Sequence, residues 1–224
     1  MSKTVVITGA SRGIGLALVK KFIEKGDKVT ALCRKSTTDL EATCAEVIEG
    51  IDVAQLSSLS KLREHFQGKK IDILINNAGV MDSELIEDFS EAAFEKMRKQ
   101  FEVNTLGPLR VTSTLLDSLS EGSKVAMITS RMGSIEDNTS GKKYGYRMSK
   151  VALNMAAVSM AQDLAPRKIA VGIYHPGWVQ TDMTGHSGQL TTDQCASNLL
   201  VRISELDLST SGQFFHSNGE KLPW

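Results

Sequence analysis

The sequence has 224 residues, enough for one domain with a sizeable core and short of the length at which chains usually divide. Lys+Arg and Asp+Glu both number 26, so the formal net charge is zero, and no basic stretch marks a nucleic-acid or anionic-membrane surface. Three cysteines (Cys33, Cys44, Cys195) and four scattered histidines lack metal-ligand spacing, which argues against a disulfide framework and a metal centre.

The run Met1–Ile7 enters a strand-like segment at once, without a charged leader or apolar h-region. No apolar run approaches the ~18 residues of a membrane span. A soluble, cytoplasmic protein is therefore expected. In chain order, Val5–Ile7, Val29–Leu32, Ile71–Ile75, Val125–Ile128 and Ile169–Tyr174 read as strands, with Val47-Ile48 and Gln213–Phe215 as weaker ones. Apolar throughout rather than alternating, they predict strands covered on both faces. Between them lie amphipathic stretches at Ile14–Lys25, Leu56–Phe66, Glu91–Leu119, Tyr146–Leu164 and Thr192–Ile203. Gly107-Pro108 inside the longest predicts a bent helix or two helices. Strand–helix alternation implies right-handed crossovers, hence a single α/β domain over 1–224: a Rossmann-type, doubly wound parallel sheet of about seven strands.

The first strand runs into Thr8-Gly9-Ala10-Ser11-Arg12-Gly13-Ile14-Gly15 and then a helix. Glycines allow positive φ and close approach of a ligand to the backbone, and a helix N-terminus offers free N–H groups and positive dipole to a pyrophosphate. The spacing, Gly-x-x-x-Gly-x-Gly, differs from the commoner dinucleotide fingerprint. After the second strand comes Cys33-Arg34-Lys35, with no acid between Val29 and Ser36. An arginine there suits the 2′-phosphate of NADP, whereas NAD sites usually carry an acid, so Arg12 and Arg34 point to NADP(H). Asn76-Asn77-Ala78-Gly79 follows the third apolar strand as a bracing turn with room for a cofactor. Ser130 ends the strand Val125–Ile128, and His175-Pro176-Gly177-Trp178-Val179-Gln180-Thr181 ends the strand Ile169–Tyr174. In a parallel sheet these ends open onto one rim.

Tyr146 and Lys150 are four residues apart, so on a helix they share a face. An ammonium beside a phenol favours phenolate and lets the tyrosine exchange a proton nearer neutrality. Tyr144 lies about 200° away around such a helix, or before its start.

Taken in order, Thr8–Gly15, Asp52-Val53, Asn76–Gly79, Asn104, Ser130, Tyr146–Lys150 and Pro176–Thr181 resemble the short-chain dehydrogenase/reductase family over essentially the whole chain. Ser130–Ile135, Tyr144–Asn154, His175–Met183 and Gly212–Trp224 look most like its C-factor-like and sniffer-like carbonyl reductases, which prefer NADPH. The resemblance implies that Tyr146 is the general acid and that Lys150 tunes it and holds the nicotinamide ribose. It implies that Ser130 binds the substrate oxygen and that Asn104 holds a water linked to Lys150. Gly9, Ser11, Gly13, Ile14 and Gly15 would cradle the pyrophosphate, and Asp52 and Val53 would bracket the adenine. Asn77, Ala78 and Gly79 would lie along the ribose, and Pro176, Gly177, Val179 and Thr181 would hold the carboxamide.

Two departures are visible. Ser130 lies sixteen residues before Tyr146, so the loop Glu136–Lys143 is somewhat long; Ser134 is nearer the usual spacing but follows Met132-Gly133. Only Thr184–Leu190 separates Met183 from the next helix, which implies an open pocket, lined by Met81, Met132, Trp178 and Met183. The expected activity is NADPH-dependent reduction of small aldehydes, ketones or quinones. The alternatives are an alcohol dehydrogenase working oxidatively, or an NADP(H)-binding signalling or redox-sensing protein with little turnover. The family commonly pairs through helices corresponding to Phe101–Leu119 and Tyr146–Leu164, and Ala152, Ala156, Ala157 and Ser159 permit close packing, so a homodimer or homotetramer is expected.

Overall fold

The computed structural model describes residues 2–224. Seven parallel strands form one sheet: β1 (Thr4–Thr8), β2 (Lys28–Leu32), β3 (Glu46–Ile48), β4 (Ile73–Asn76), β5 (Lys124–Ile128), β6 (Ala170–His175) and β7 (Phe214–His216). Their order is β3-β2-β1-β4-β5-β6-β7, so the chain winds outward in both directions from β1 and β4. The two weak sequence candidates are the two edge strands, three residues each.

Successive residues of a strand point to opposite faces, which explains why both parities are apolar. On β1, Val5 and Ile7 face one core while Val6 faces the other, and all three are fully buried. The first core is closed by α1 (Gly13–Glu24) and α7 (Thr192–Glu205), through Leu18, Val19, Phe22, Leu199 and Ile203. The second is closed by α3 (Leu56–His65), α5 (Gly107–Thr114) and α6 (Tyr144–Leu164), through Leu59, Leu62, Val111, Leu153 and Ala157. A four-residue helix, α2 (Thr38–Glu41), follows β2. No helix among the described residues is long and apolar enough to cross a membrane.

The stretch expected to be a bent helix or two helices is two α-helices joined through a π segment. Helix α4 (Glu91–Phe101) passes into a π-helical segment, Glu102–Leu106, and then into α5, with Pro108 in the first turn of α5, where it removes one donor at the junction. A π segment widens the turn and re-aims the side chains within it, and Asn104 lies inside this one.

Candidate active site

Because all strands are parallel, the ends of β1, β4, β5 and β6 share one rim, and cross-links between their loops fix it. The Thr8 hydroxyl, at the end of β1, accepts from the backbone N–H groups of Asn77 (3.0 Å) and Ala78 (3.1 Å). The Asn77 amide in turn donates to the carbonyls of Thr8 and Gly9. Gly9 and Gly13 have φ of 65° and 57°, a region open to glycine. A Cβ on Gly15 would lie 2.2 Å from the Gly9 carbonyl, and one on Gly9 would lie 2.8 Å from Ala78 Cα. The cradle is therefore shaped in backbone. Helix α1 starts there with no side-chain cap and no acidic residue in its first turn, which leaves its N–H groups for an anion.

At the end of β2, Arg34 is exposed, and among the described residues no carboxylate lies within ion-pair reach of it. Arg12 is paired: its guanidinium meets Asp182 at 2.6 Å, and Asp182 also contacts His186. With Gly13 against Thr181, this joins the glycine turn to the loop after β6. Both partners are exposed, so the pair is weak and exchangeable. Val53 is buried, and its side chain packs over Gly107, while the Asp52 carboxylate accepts from Ala54 N–H.

Helix α6 begins at Tyr144, so Tyr146 and Lys150 do share a helical face, with Lys150 Nζ 5.8 Å from the phenol ring centre. Tyr144 points elsewhere, edge-on to Phe89 at 5.0 Å. Both Tyr146 and Lys150 are buried, and Lys150 Nζ donates to the Ile128 carbonyl at 3.0 Å. The electrostatics depart from the sequence expectation. Burial raises the Tyr146 pKa above its ordinary value, with the nearby Ser130 hydroxyl pulling the other way. Burial also lowers Lys150 to about 8. Desolvation is the leading cause at both residues, and it moves the phenol opposite to the expected lowering. Next to them, burial followed by the charges of His216, Arg131 and Lys150 holds His175 near 3, a neutral imidazole packed edge-on against His216.

Asn104 is fully buried. Its carbonyl oxygen accepts from Val80 N–H and its amide donates to the Val80 carbonyl, both at 2.8 Å. It also donates to Ser149 Oγ (3.0 Å), which donates to the Tyr146 carbonyl (2.8 Å). A Cβ on Gly79 would stand 3.3 Å from Asn104 Oδ1 and 3.8 Å from Lys150 Nζ, so only glycine leaves this space open. Ser130 accepts from Met132 N–H (3.1 Å) and lies by the phenol, whereas Ser134 caps Asp137 N–H (3.0 Å) inside its own loop. Thr129 and Asn154 tie β5 to α6 at 2.7 Å.

The loop after β6 is short and closed on itself: Gln180 N–H donates to Leu190 O, and Leu190 N–H to Trp178 O. Pro176 O accepts from Ser217 Oγ (2.9 Å), and Val179 is buried beneath the loop. Trp178 and Met183 are exposed, while Met81 and Met132 are half-buried. The sequence reading did not single out Ser149, Glu84, Gln100 or Gly133. Ser149 could have been found by its place between Tyr146 and Lys150; the others carry no local pattern.

Comparison with known proteins settles the family. The model described as short chain dehydrogenase matches residues 3–191. The chain belongs to the short chain dehydrogenase family. Within that family it is 37% identical to 1-hydroxy-2-glutathionyl-2-methyl-3-butene dehydrogenase of Rhodococcus sp. (strain AD45), covering 99% of both chains. It is 46% identical over 156 residues to C-signal of Myxococcus xanthus, covering 69% of this chain and 93% of that one. Among solved structures, the carbonyl reductase Sniffer of D. melanogaster superposes with a TM-score of 0.90 at 28% identity over 100% of both chains. The NADPH-bound carbonyl reductase from chicken fatty liver gives 0.89 at 27% identity, covering 100% of this chain and 99% of that one. This short chain dehydrogenase thus has, as relatives, both a named dehydrogenase and named carbonyl reductases.

Proposed function

We propose that this chain is an NADP(H)-dependent carbonyl reductase of small aldehydes, ketones or quinones. The carrying observation is that Asn104, Ser130, Tyr146 and Lys150 meet at one rim, beside a backbone cradle that only glycines allow. The residues fit the cofactor: Gly9, Ser11, Gly13, Ile14 and Gly15 would hold the pyrophosphate, and Arg12 and Arg34 the 2′-phosphate. Solved relatives described as NADPH-bound or in complex with NADP support that choice. Asp52 and Val53 would flank the adenine, Asn77, Ala78 and Gly79 the ribose, and Pro176, Gly177, Val179 and Thr181 the carboxamide.

The cofactor supplies the hydride; the protein supplies orientation and a proton. Ser130 would hold the substrate oxygen in hydrogen-bond reach of Tyr146, and the phenol would give up its proton as charge develops on that oxygen. Lys150 would replace that proton and hold the nicotinamide ribose, and Asn104 would orient a water in the space beside Gly79. Met81, Met132, Trp178 and Met183 would contact the substrate, under a short loop that leaves the pocket open. A phenol raised by burial stays protonated at neutral pH. That is the form reduction needs, while the name of the Rhodococcus relative, a dehydrogenase, supports the alternative of an alcohol dehydrogenase working oxidatively. The likeness to C-signal favours a second reading, an NADP(H)-binding signalling protein with little turnover.

The test is cofactor oxidation over a panel of carbonyls, with Tyr146→Phe as control. General acid catalysis predicts a fall in kcat of about 10²–10⁴-fold with NADPH binding retained. Equal rates for the two proteins would remove Tyr146 from the mechanism. Faster turnover with NADH would remove Arg12 and Arg34 from the 2′-phosphate site. NADPH-dependent stabilisation without turnover of any carbonyl would favour the signalling reading.

A further inference from the structure

Glu84 plays no part in the chemistry above, yet its carboxylate side chain is only 3% exposed. A charged group at that depth persists only when its hydrogen bonds are made. Both oxygens are engaged: one accepts from Gln100 Nε2, the other from the backbone N–H of Gly145 at 3.2 Å. Gln100, itself fully buried, accepts from Asp82 N–H at 2.9 Å.

These contacts finish a strap that begins at the active site. At its near end Val80 is held by Asn104 through both its N–H and its carbonyl, each at 2.8 Å. At its far end the Glu84 carbonyl accepts from Lys143 N–H at 3.1 Å, and its carboxylate reaches the first turn of α6. That turn needs holding. Lys142 and Lys143 have φ of 57° and 53°, a left-handed conformation that costs a non-glycine residue roughly 1–2 kcal/mol. Such geometry survives where the surroundings over-determine it. Lys143 gives no side-chain cap, and α6 has no acidic residue in its first turn, so the carboxylate that steadies this helix start comes from another loop. The fit is close as well, since a Cβ on Gly145 would lie 2.5 Å from Gln100 Nε2 and 2.9 Å from Met97 Cα.

We infer that Glu84, acting with Gln100, is a positioning residue that sets Tyr146 against Asn104. Tyr146 is one residue beyond the N–H that Glu84 holds, and Asn104 grips the other end of the same strap. The inference deepens the proposed reductase function and rests on Tyr146 being its acid.

The donor–acceptor order supplies the test. Glu84→Gln keeps the shape but adds a donor, so somewhere in the row Asp82 N–H, Gln100, position 84, Gly145 N–H two donors must face each other. The double variant Glu84→Gln/Gln100→Glu removes the conflict. The carboxylate at position 100 accepts from Asp82 N–H and from the new amide, whose oxygen accepts from Gly145 N–H. Two readouts are taken for each variant. One is steady-state reduction; the other is the ring-carbon NMR signal of labelled Tyr146, assigned with Tyr146→Phe, which needs no turnover. For Glu84→Gln we expect a shifted or broadened Tyr146 signal and a kcat lowered about ten-fold with KM within about two-fold, as misplacement of a catalytic group predicts. The double variant should restore the signal and bring kcat to within about three-fold of the native enzyme. An unmoved Tyr146 signal or unchanged kcat in Glu84→Gln would overturn the inference. So would a double variant that recovers melting temperature but neither readout. If the native enzyme reduces no carbonyl, the reductase reading fails, and the Tyr146 signal alone still decides whether Glu84 positions that ring.

Discussion

Burying a lysine costs free energy, and Lys150, only 4% exposed, has one carbonyl and no carboxylate to offset that cost. The unfolded chain holds this proton up to about pH 10.5, the folded chain only to about 8. Between those values the unfolded state binds more protons, so the residue's contribution to stability rises with pH and is least favourable below pH 8. At neutral pH the penalty is of order 3 kcal/mol, an upper figure because the site can relax. Lys150→Met should therefore raise the unfolding free energy by about 2 kcal/mol at pH 7 while abolishing reduction. The gain should vanish by about pH 10.5, and denaturant titrations at the two pH values check it. Activity carries the same signature with the opposite sign. In the proposed mechanism the ammonium form resupplies the proton, so kcat/KM of the native enzyme should decline as pH passes about 8. Tyr146, raised by burial, stays protonated through that range.

At the scale of elements, the site depends on how closely the turn after β5 approaches α6. A Cβ on Gly133 would lie 2.8 Å from Lys150 C and 2.9 Å from Lys150 Cβ, so the obstacle is backbone that cannot swing aside. Gly133→Ala should cost about 1–3 kcal/mol through overpacking. Because the displaced backbone is that of Lys150, kcat should fall at least about ten-fold beyond any loss of folded protein. Melting temperature and kcat measured together separate the two effects. Much of this layer was legible beforehand. Uniformly apolar runs such as Val125–Ile128 read as doubly covered strands, and the glycine turn read as a backbone cradle, because burial and positive φ leave marks in composition. The parts that were not legible leave no such mark. The π segment Glu102–Leu106 depends on a change of hydrogen-bond step within a sequence whose apolar spacing looks ordinary. The reach of Glu84 to Gly145 joins residues 61 apart, and a lone glutamate in a polar loop reads as solvated. The raised Tyr146 pKa was missed for a related reason: i,i+4 spacing shows who is near, not how dry the site is.

Across the whole molecule, the sheet leaves its candidate catalytic rim at the strand ends and the outer faces of α4 and α6 on a flank. Phe94 and Phe101 on α4 are 41% and 38% exposed, and Met148 and Met155 on α6 are 48% and 67% exposed. Each pair is spaced by seven residues, so each forms a line along its helix, and α4 and α6 pack side by side. Half-buried Ala152 and Ala156 leave the surface of α6 low enough for a second helix to come close. At 21 residues, α6 is about 30 Å long, sufficient to carry much of a standard-sized interface. The expected assembly is a homodimer or homotetramer, and we propose that these helices pair with their symmetry mates in it. Light scattering should give two or four times the protomer mass for the native chain, and Phe101→Glu/Met155→Glu should at least halve it, because a two-fold axis places each new charge near its own copy. Catalysis should survive in the separated protomers. Asn104, Ser130, Tyr146 and Lys150 all come from one chain, and the contacts that hold them run through Val80, Ser149 and Ile128 of that same chain. A native mass equal to one protomer would leave the apolar flank without its expected cover, and loss of turnover on dissociation would mean that the partner supports the rim.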